Sequence, residues 1–314
     1  MSTRSQNGKS VRAFIIANPL YDTVFKRLME NKQIVKFFLS TILEQQVVSV
    51  EVLPQEFTYK GNVTTDSEEI PYSIFRVDFM ATVQTADGKQ KKILIEVQKA
   101  WNHDDIMRFR KYLGEQYGKK EIIHDKEITL PITTIYILGF DLVGIEIPCI
   151  KVGRTYTDMR NKETIRAKSD FIELLTHDSY VIQAGRIKDT SYTSDLDKLL
   201  SIFEQAYFIR TGSELVKEYH HQPDDENMDI ITSVLCEMVS DPKDRKQLED
   251  EAEAMRILDA VYFSKIRENK NIIEEQAKIL EEKDKSLEEH TRIIAEKDKQ
   301  ITELQRLLRG KQVE

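Results

Sequence analysis

Apolar positions along the chain change period several times, and each change marks a new element. From Tyr21 to about Leu43, the residues Val24, Leu28, Ile34, Val35, Phe38, Leu39 and Ile42 recur at helical spacing. Residues three and four apart share one face of a helix, so this run predicts an amphipathic helix. The polar patch Glu30-Asn31-Lys32 interrupts it and predicts a bend or a break into two pieces. From Gln46 to Tyr59 the pattern becomes extended: Val48, Val50 and Val52 alternate, and Pro54 marks an edge or a bulge. Residues 60–70 are polar and acidic and are expected to form a loop.

The next stretch, from Ile74 to Thr85, is rich in β-branched and aromatic residues, and Asp87-Gly88 after it is a hairpin-turn signal. Lys92 to Lys99 then reads as the returning strand. A helix is predicted over Asp104 to Lys119, with Ile106, Phe109, Leu113 and Tyr117 on one stripe. Pro131 to Phe140 is a continuous apolar run of strand length, suited to a strand buried on both faces. The order helix, strand, strand, strand, helix, strand over residues 21–140 implies a mixed α/β layered fold. Residues 145–190 add one or two extended segments and a short helix near Phe171 to Leu175, and residues 194–262 read as mostly helical.

From Ile266 a single apolar column repeats every seven residues: Ile273, Leu280, Leu287, Ile294, Ile301 and Leu308 follow it. A strict heptad signals a coiled coil. The column three residues later, Asn269, Gln276, Lys283, His290, Lys297 and Leu304, is mostly polar, so a two-column seam is missing. The expectation is a long charged helix with marginal self-association. It is either a solvated projection or a coiled coil that pairs with a partner or with a second copy as a homodimer. The resulting division is a flexible lead over 1–20, a core over 21–145, an accessory region over 146–262 that is mixed and then helical, and the long helix over 263–314.

Composition narrows this picture only in places. Of the 314 residues 40% are apolar, enough for a globular core, and 32% are charged, an excess that falls mostly in the last third. A net charge of −8 is a poor global match to nucleic acid, yet it does not exclude a local basic groove. Cys149 and Cys236 form neither a zinc spacing nor a disulfide framework, which points to a reducing cytoplasm. No apolar run approaches the ~18 residues of a membrane span. Arg4, Lys9 and Arg12 precede an apolar stretch, Ala13 to Ala17, too short for a secretory signal. His103, His124, His177 and the pair His220-His221 have no metal spacing and are expected on the surface or in loops, and no nucleophile-elbow pattern occurs.

The residues that carry chemistry sit in the predicted hairpin. Strand alternation places Phe75, Val77, Phe79, Ala81 and Val83 on one face, and Arg76, Asp78 and Met80 on the other. On the returning strand Leu94, Glu96 and Gln98 share a face, while Lys99 points away unless the strand is bulged. The turn makes these strands neighbours, so Asp78 and Glu96 can converge. A carboxylate surrounded by β-branched residues needs a partner, and a divalent cation such as Mg²⁺ or Mn²⁺ would supply it. The alternative is that both acids are ordinary charges on the open face of an antiparallel hairpin.

Three stretches resemble one family taken together: Tyr72-Ser73-Ile74-Phe75-Arg76-Val77-Asp78-Phe79, Ile95-Glu96-Val97-Gln98-Lys99-Ala100, and Asp105 through Tyr117. They resemble the PD-(D/E)xK nuclease family transposases, related to the Rpn recombination-promoting nucleases. Asp22 to Glu30 is similar to the opening helix of that family, and the likeness covers residues 20–145, more loosely to about 215. The resemblance implies a restriction-endonuclease-like αβββαβ core and metal-dependent hydrolysis of DNA phosphodiester bonds, associated with transposition or recombination. It implies that Asp78 and Glu96 bind the catalytic metal and that Gln98 stands where the superfamily carries its catalytic lysine. The sequence departs from the superfamily pattern at Val77, in place of proline, and at Gln98, where Lys99 is the candidate substitute. Asp22 is a further candidate carboxylate, or else a helix cap. Arg108 and Tyr112, four apart and off the apolar stripe, are candidate contacts to DNA phosphates, with an ordinary solvated face as the alternative. Tyr117 is expected in the core. With a neutral amide at position 98 and an acidic net charge, the rival function is a catalytically weak nuclease fold that serves as a DNA- or protein-binding module through its C-terminal coiled coil.

Overall fold

A computed structural model describes residues 12–310, apart from 54–55, 59–61, 66–67, 72–73, 77, 100–102, 124, 189–191, 211–213 and 222–224. The packing of Cα atoms divides the chain into two units, Met1–Ala252 and Glu253–Glu314.

The first unit opens with strand β1 (Arg12–Ala17), where a flexible lead was expected. The stretch too short for a signal is long enough for a strand, and Ile16 and Ala17 are fully buried in it. Helices α1 (Asp22–Met29) and α2 (Lys32–Leu43) follow, separated at the polar patch as the periodicity predicts. Asn31 makes the break: its Oδ1 accepts the amides of Gln33 at 2.9 Å and Ile34 at 3.3 Å, capping α2. Strand β2 (Val47–Val52) is succeeded by four short strands, β3 (Glu56–Thr58), β4 (Asn62–Thr65), β5 (Glu68–Pro71) and β6 (Ile74–Arg76). The loop expected over 60–70 is therefore a β4–β5 hairpin, in which Val63 and Thr64 oppose Ile70 and Glu69. Strands β7 (Phe79–Thr85) and β8 (Gln90–Gln98) form the second hairpin. Gly88 has φ +82°, a left-handed conformation open to glycine at little cost.

Helix α3 (His103–Gly118) carries the chain across to the small hairpin β9 (Glu121–Ile123) and β10 (Lys126–Ile128) and then to β11 (Ile132–Leu138). Strands β12 (Cys149–Val152), β13 (Tyr156–Thr157) and β14 (Thr164–Ile165), helix α4 (Asp170–Leu175) and strand β15 (Asp178–Gln183) complete the middle of the chain. The main sheet has six strands in the order β12-β15-β11-β8-β7-β2. Its β8–β11 and β11–β15 pairs are parallel, and the other three are antiparallel. The protein is thus a mixed α/β fold with a long C-terminal helix. The core expected to end at 145 runs on to Gln183, because β12 and β15 belong to the same sheet.

Both faces of the sheet are covered. Met80 and Leu94 form a cluster with Phe109, Tyr112, Leu113 and Ile132 under α3. Ile93 and Ile95, pointing the other way from β8, are fully buried too. Helices α5 (Asp195–Ser201), α6 (Ala206–Arg210), α7 (Glu226–Ser240) and α8 (Pro242–Gly310) follow, but strand β16 (Val216–His221) interrupts the run expected to be helical. It pairs antiparallel with β1 along its whole length, Ile16 opposite Lys217. Lys217 is only 3% exposed. Its ammonium donates to the carbonyls of Ser201 (2.8 Å), the last residue of α5, and Glu204 (2.9 Å), and lies near the rings of Phe208 and Tyr219.

Helix α8 begins in the first unit and makes up most of the second. In the second unit Leu280, Leu287, Ile294 and Ile301 are each more than half exposed, and Glu281 pairs with Lys285 one turn on. These four positions of the heptad column lie open to solvent. Among the described residues no helix is long and apolar enough to cross a membrane.

Candidate active site

The strand predicted through Ile74 to Thr85 is broken at Asp78. Ile74–Arg76 leaves the main sheet to pair with β3, and the β7–β8 ladder begins with Phe79 opposite Ile95. That register sets Asp78 level with Glu96. The Asp78 carboxylate itself continues the ladder: its Oδ2 accepts the amide of Val97 at 2.5 Å. Asp78 is half-buried at the sheet's end rather than a charge on an open face. Burial pushes its carboxyl up to about 7, the Val97 amide pulls it back, and the neighbouring Asp22 raises it by charge and by a shared hydrogen bond.

Asp22 reaches this point from the first residue of α1. Its Oδ2 takes the ammonium of Lys26, one turn along, at 2.6 Å. Its Oδ1 is buried and has no hydrogen-bond partner. Asp22 is not a cap: the N-cap is Tyr21, whose side chain makes no capping bond. The amides of Asp22 and Thr23 are instead held by Glu251 of α8, at 2.7 and 3.0 Å. Two facing carboxylates, one oxygen of which lacks a partner, form an arrangement that takes up a proton or a cation.

Glu96 shares its face of β8 with Leu94 and Lys92, the face that α3 covers. Lys92 is buried there, paired with Glu121 and donating to Gln116 Oε1 at 3.2 Å. Glu96 is half-buried and in register with Tyr136 of β11. Burial raises the Tyr136 hydroxyl to about 12, and Glu96 adds to the rise. Burial likewise raises Tyr112, with help from Glu115 and Glu96. Gln98 closes β8 opposite Leu138, and its carbonyl accepts the Gly139 amide at 2.8 Å.

Lys99, just past the strand, follows the alternation and leaves the Gln98 side. Its ammonium bonds the Tyr21 hydroxyl at 2.7 Å, lies 4.0 Å from the centre of that ring, and reaches Glu214 at 3.4 Å. Tyr21 precedes Asp22, so Lys99 stands at the start of α1. Gly139 permits this geometry: a Cβ there would lie 2.5 Å from the Lys99 carbonyl oxygen.

Tyr112 corrects the sequence reading. It is 3% exposed, and its hydroxyl donates to Met80 Sδ at 3.0 Å. The buried stripe of α3 is Phe109, Tyr112, Leu113 and Gln116, with Ile106 exposed instead. The stripe is broader than the strict four-residue spacing because α3 spans more than one strand. Tyr112 is therefore a core residue rather than a phosphate contact, whereas the side chain of Arg108, like Val77, lies outside the described residues. Tyr117 is half-buried and bonds Nδ1 of His177, which lies in the loop between α4 and β15, at 2.5 Å. Burial holds the His177 imidazole below its ordinary value.

The site thus joins Asp22 to Asp78, sets Glu96 level with Asp78 in the ladder with its charge acting on two tyrosines, and turns Lys99 toward α1. Among the described residues no group of three or more His, Cys, Asp or Glu side chains is arranged to hold a metal ion. Sequence reasoning missed Lys26 and Glu251. The first was signalled by its i, i+4 spacing from Asp22, and the second, 229 positions away, by nothing local. No family model, curated protein or solved structure matches the chain.

Proposed function

We propose that the protein is a Mg²⁺- or Mn²⁺-dependent endodeoxyribonuclease with a restriction-endonuclease-like core, acting in transposition or recombination. The observation that carries this reading is the unpartnered, buried Oδ1 of Asp22 beside the raised carboxyl of Asp78. The element order α1/α2, β2, β7, β8, α3, β11 supports the αβββαβ assignment. The donor set fits a hard cation: Mg²⁺ commonly takes one or two carboxylates and fills its remaining positions with water and substrate phosphate. Asp22 and Asp78 would hold it, with Glu96 the next acid along the same sheet end. Held by Asp22 and Asp78, such a cation would supply a more acidic water nucleophile and charge to offset that of the phosphate under attack.

The chain's own residues have separate tasks. The Val97 amide and Lys26 hold the two acids in place. Gln98, a neutral amide, orients water or phosphate without adding positive charge. Lys99 supplies a second cation, besides Lys26, at the start of α1, where Tyr21 and Glu214 now hold it. DNA is the proposed partner, and pairing of two copies along the exposed α8 column would bring two such units into one assembly. A second reading rests on Gln98 and on the net charge of −8: without the lysine, the fold serves mainly to bind DNA or a protein, with the C-terminal helix supplying the contact.

The test is plasmid nicking by the wild type, Asp78→Ala and Glu96→Ala, with Mg²⁺, Mn²⁺ and EDTA. Metal-dependent cleavage lost in both variants supports the nuclease. Cleavage that survives both variants places the chemistry elsewhere. No cleavage by the wild type with either ion rejects the nuclease, and DNA binding that persists in Asp78→Ala then selects the second reading.

A further inference from the structure

Helix α1 lacks what α2 has. Asn31 caps α2 with its own side chain, but Tyr21, the N-cap of α1, is extended and its side chain caps no amide of the helix. The first free amides of α1 are those of Asp22 and Thr23, and both end on Glu251, one on each carboxylate oxygen, at 2.7 and 3.0 Å. Two bonds from one planar group to successive amides fix the position and also the rotation of the first turn. A carboxylate is also the favoured charge at a helix N-terminus. Glu251 is itself held firmly, because Leu248 and Ala252, flanking it on α8, are each only 2% exposed. Since both of its oxygens are engaged by amides, Glu251 does not compete with Asp22 and Asp78 for a cation.

We propose that Glu251 is a positioning residue, which sets the first turn of α1 so that Asp22, with its Oδ1 unpartnered, stands against Asp78 and the pair is ready to take a divalent cation. This inference rests on the metal-site reading above. It assigns to the start of the long helix a direct part in building the site at the other end of the sequence. Without Glu251 the first turn of α1 has two unsatisfied amides and frays, and Asp22 loses its fixed place.

The experiment is Mn²⁺ binding to the full chain, followed by calorimetry and by the paramagnetic resonance of free Mn²⁺, with urea stability measured in parallel. The proteins are wild type, Glu251→Ala, Glu251→Gln, Asp22→Asn and the double variant Asp22→Asn/Glu251→Ala. Glu251→Ala is expected to weaken Mn²⁺ binding by about tenfold, as loss of a group that orients a metal ligand does. Glu251→Gln, whose amide oxygen still accepts one bond, should recover part of that loss. In the Asp22→Asn background the Glu251→Ala change should add nothing, since the residue it positions no longer binds. Equal Mn²⁺ affinity in wild type and Glu251→Ala, whatever happens to stability, overturns the positioning role alone. So does a loss of the same size with and without Asp22. A wild type that binds no Mn²⁺ overturns the metal site, and this inference with it.

Discussion

Lys217 makes the fold sensitive to pH in a direction that can be worked out in advance. Its ammonium is buried between Phe208 and Tyr219, and burial pushes its pKa down to about 7, with the charge of Glu204 opposing the fall. It has two hydrogen-bond acceptors, the carbonyls of Ser201 and Glu204. A neutral amine still has two N–H groups, so losing a proton costs it neither bond. Between the folded pKa and the ordinary lysine value, the unfolded chain binds the extra proton and the folded chain does not, so stability rises with pH. Below pH 7 both states are charged and the fold carries the full cost of burying the ammonium. Between pH 7 and 9 the gain from this one residue is roughly 2 kcal/mol, at about 1.4 kcal/mol per unit once the amine is neutral. The assay is urea unfolding of wild type and Lys217→Met at pH 6.5 to 9, followed by near-ultraviolet dichroism of the tyrosines, which reports on the packed unit. Lys217→Met leaves two carbonyls unpaired, a loss of about 1–3 kcal/mol for each that does not vary with pH. The expected signature is therefore a wild-type advantage that widens as pH rises. An advantage that stays flat or narrows refutes the argument and shows that the ammonium remains charged in the fold.

Two further outcomes test the packing on either side of the site. Tyr112→Phe should cost within about 1 kcal/mol, the value of one hydrogen bond, and leave DNA affinity unchanged, whereas Tyr112→Ala should cost about 3–5 kcal/mol in urea unfolding. Weaker DNA binding by a fully stable Tyr112→Phe would return the hydroxyl to the phosphate role. Gly139→Ala should destabilise by about 1–3 kcal/mol, since its methyl meets the Lys99 backbone, and should shift Lys99 away from Tyr21. A melting temperature equal to that of wild type would contradict the close approach of the β8 and β11 ends.

The parts of this fold legible in the sequence are those decided by neighbours in the chain. Asn31 ends one helix and caps the next through residues two and three positions on, and Gly88 turns a hairpin whose strands are adjacent. Asp78 and Glu96 stood out as acids among β-branched residues, and the β7–β8 register does set them level. What alternation could not show is that the strand breaks at Asp78, because the residues before it find another partner in β3. Tyr112 was misread for a related reason: helical spacing gives the centre of a buried stripe, while its width depends on what the helix packs against. Glu251 left no local trace, since a glutamate in a charged helix looks the same whether it faces water or the amides of a distant turn.

The pairing of β1 with β16 has a consequence for how the chain is made. The N-terminal strand leaves the ribosome about 200 residues before the strand that completes its ladder. Closing so long a loop carries an entropic cost that only the finished pairing repays, so this contact belongs to the last stage of folding. Until then Phe14 and Ile16 travel as an unpaired, apolar edge, the kind of segment that chaperones bind and that associates wrongly when many chains are made at once. A tag or truncation at the N-terminus therefore acts on yield during synthesis as well as on the finished fold. Slower expression at lower temperature should recover soluble protein that rapid synthesis loses.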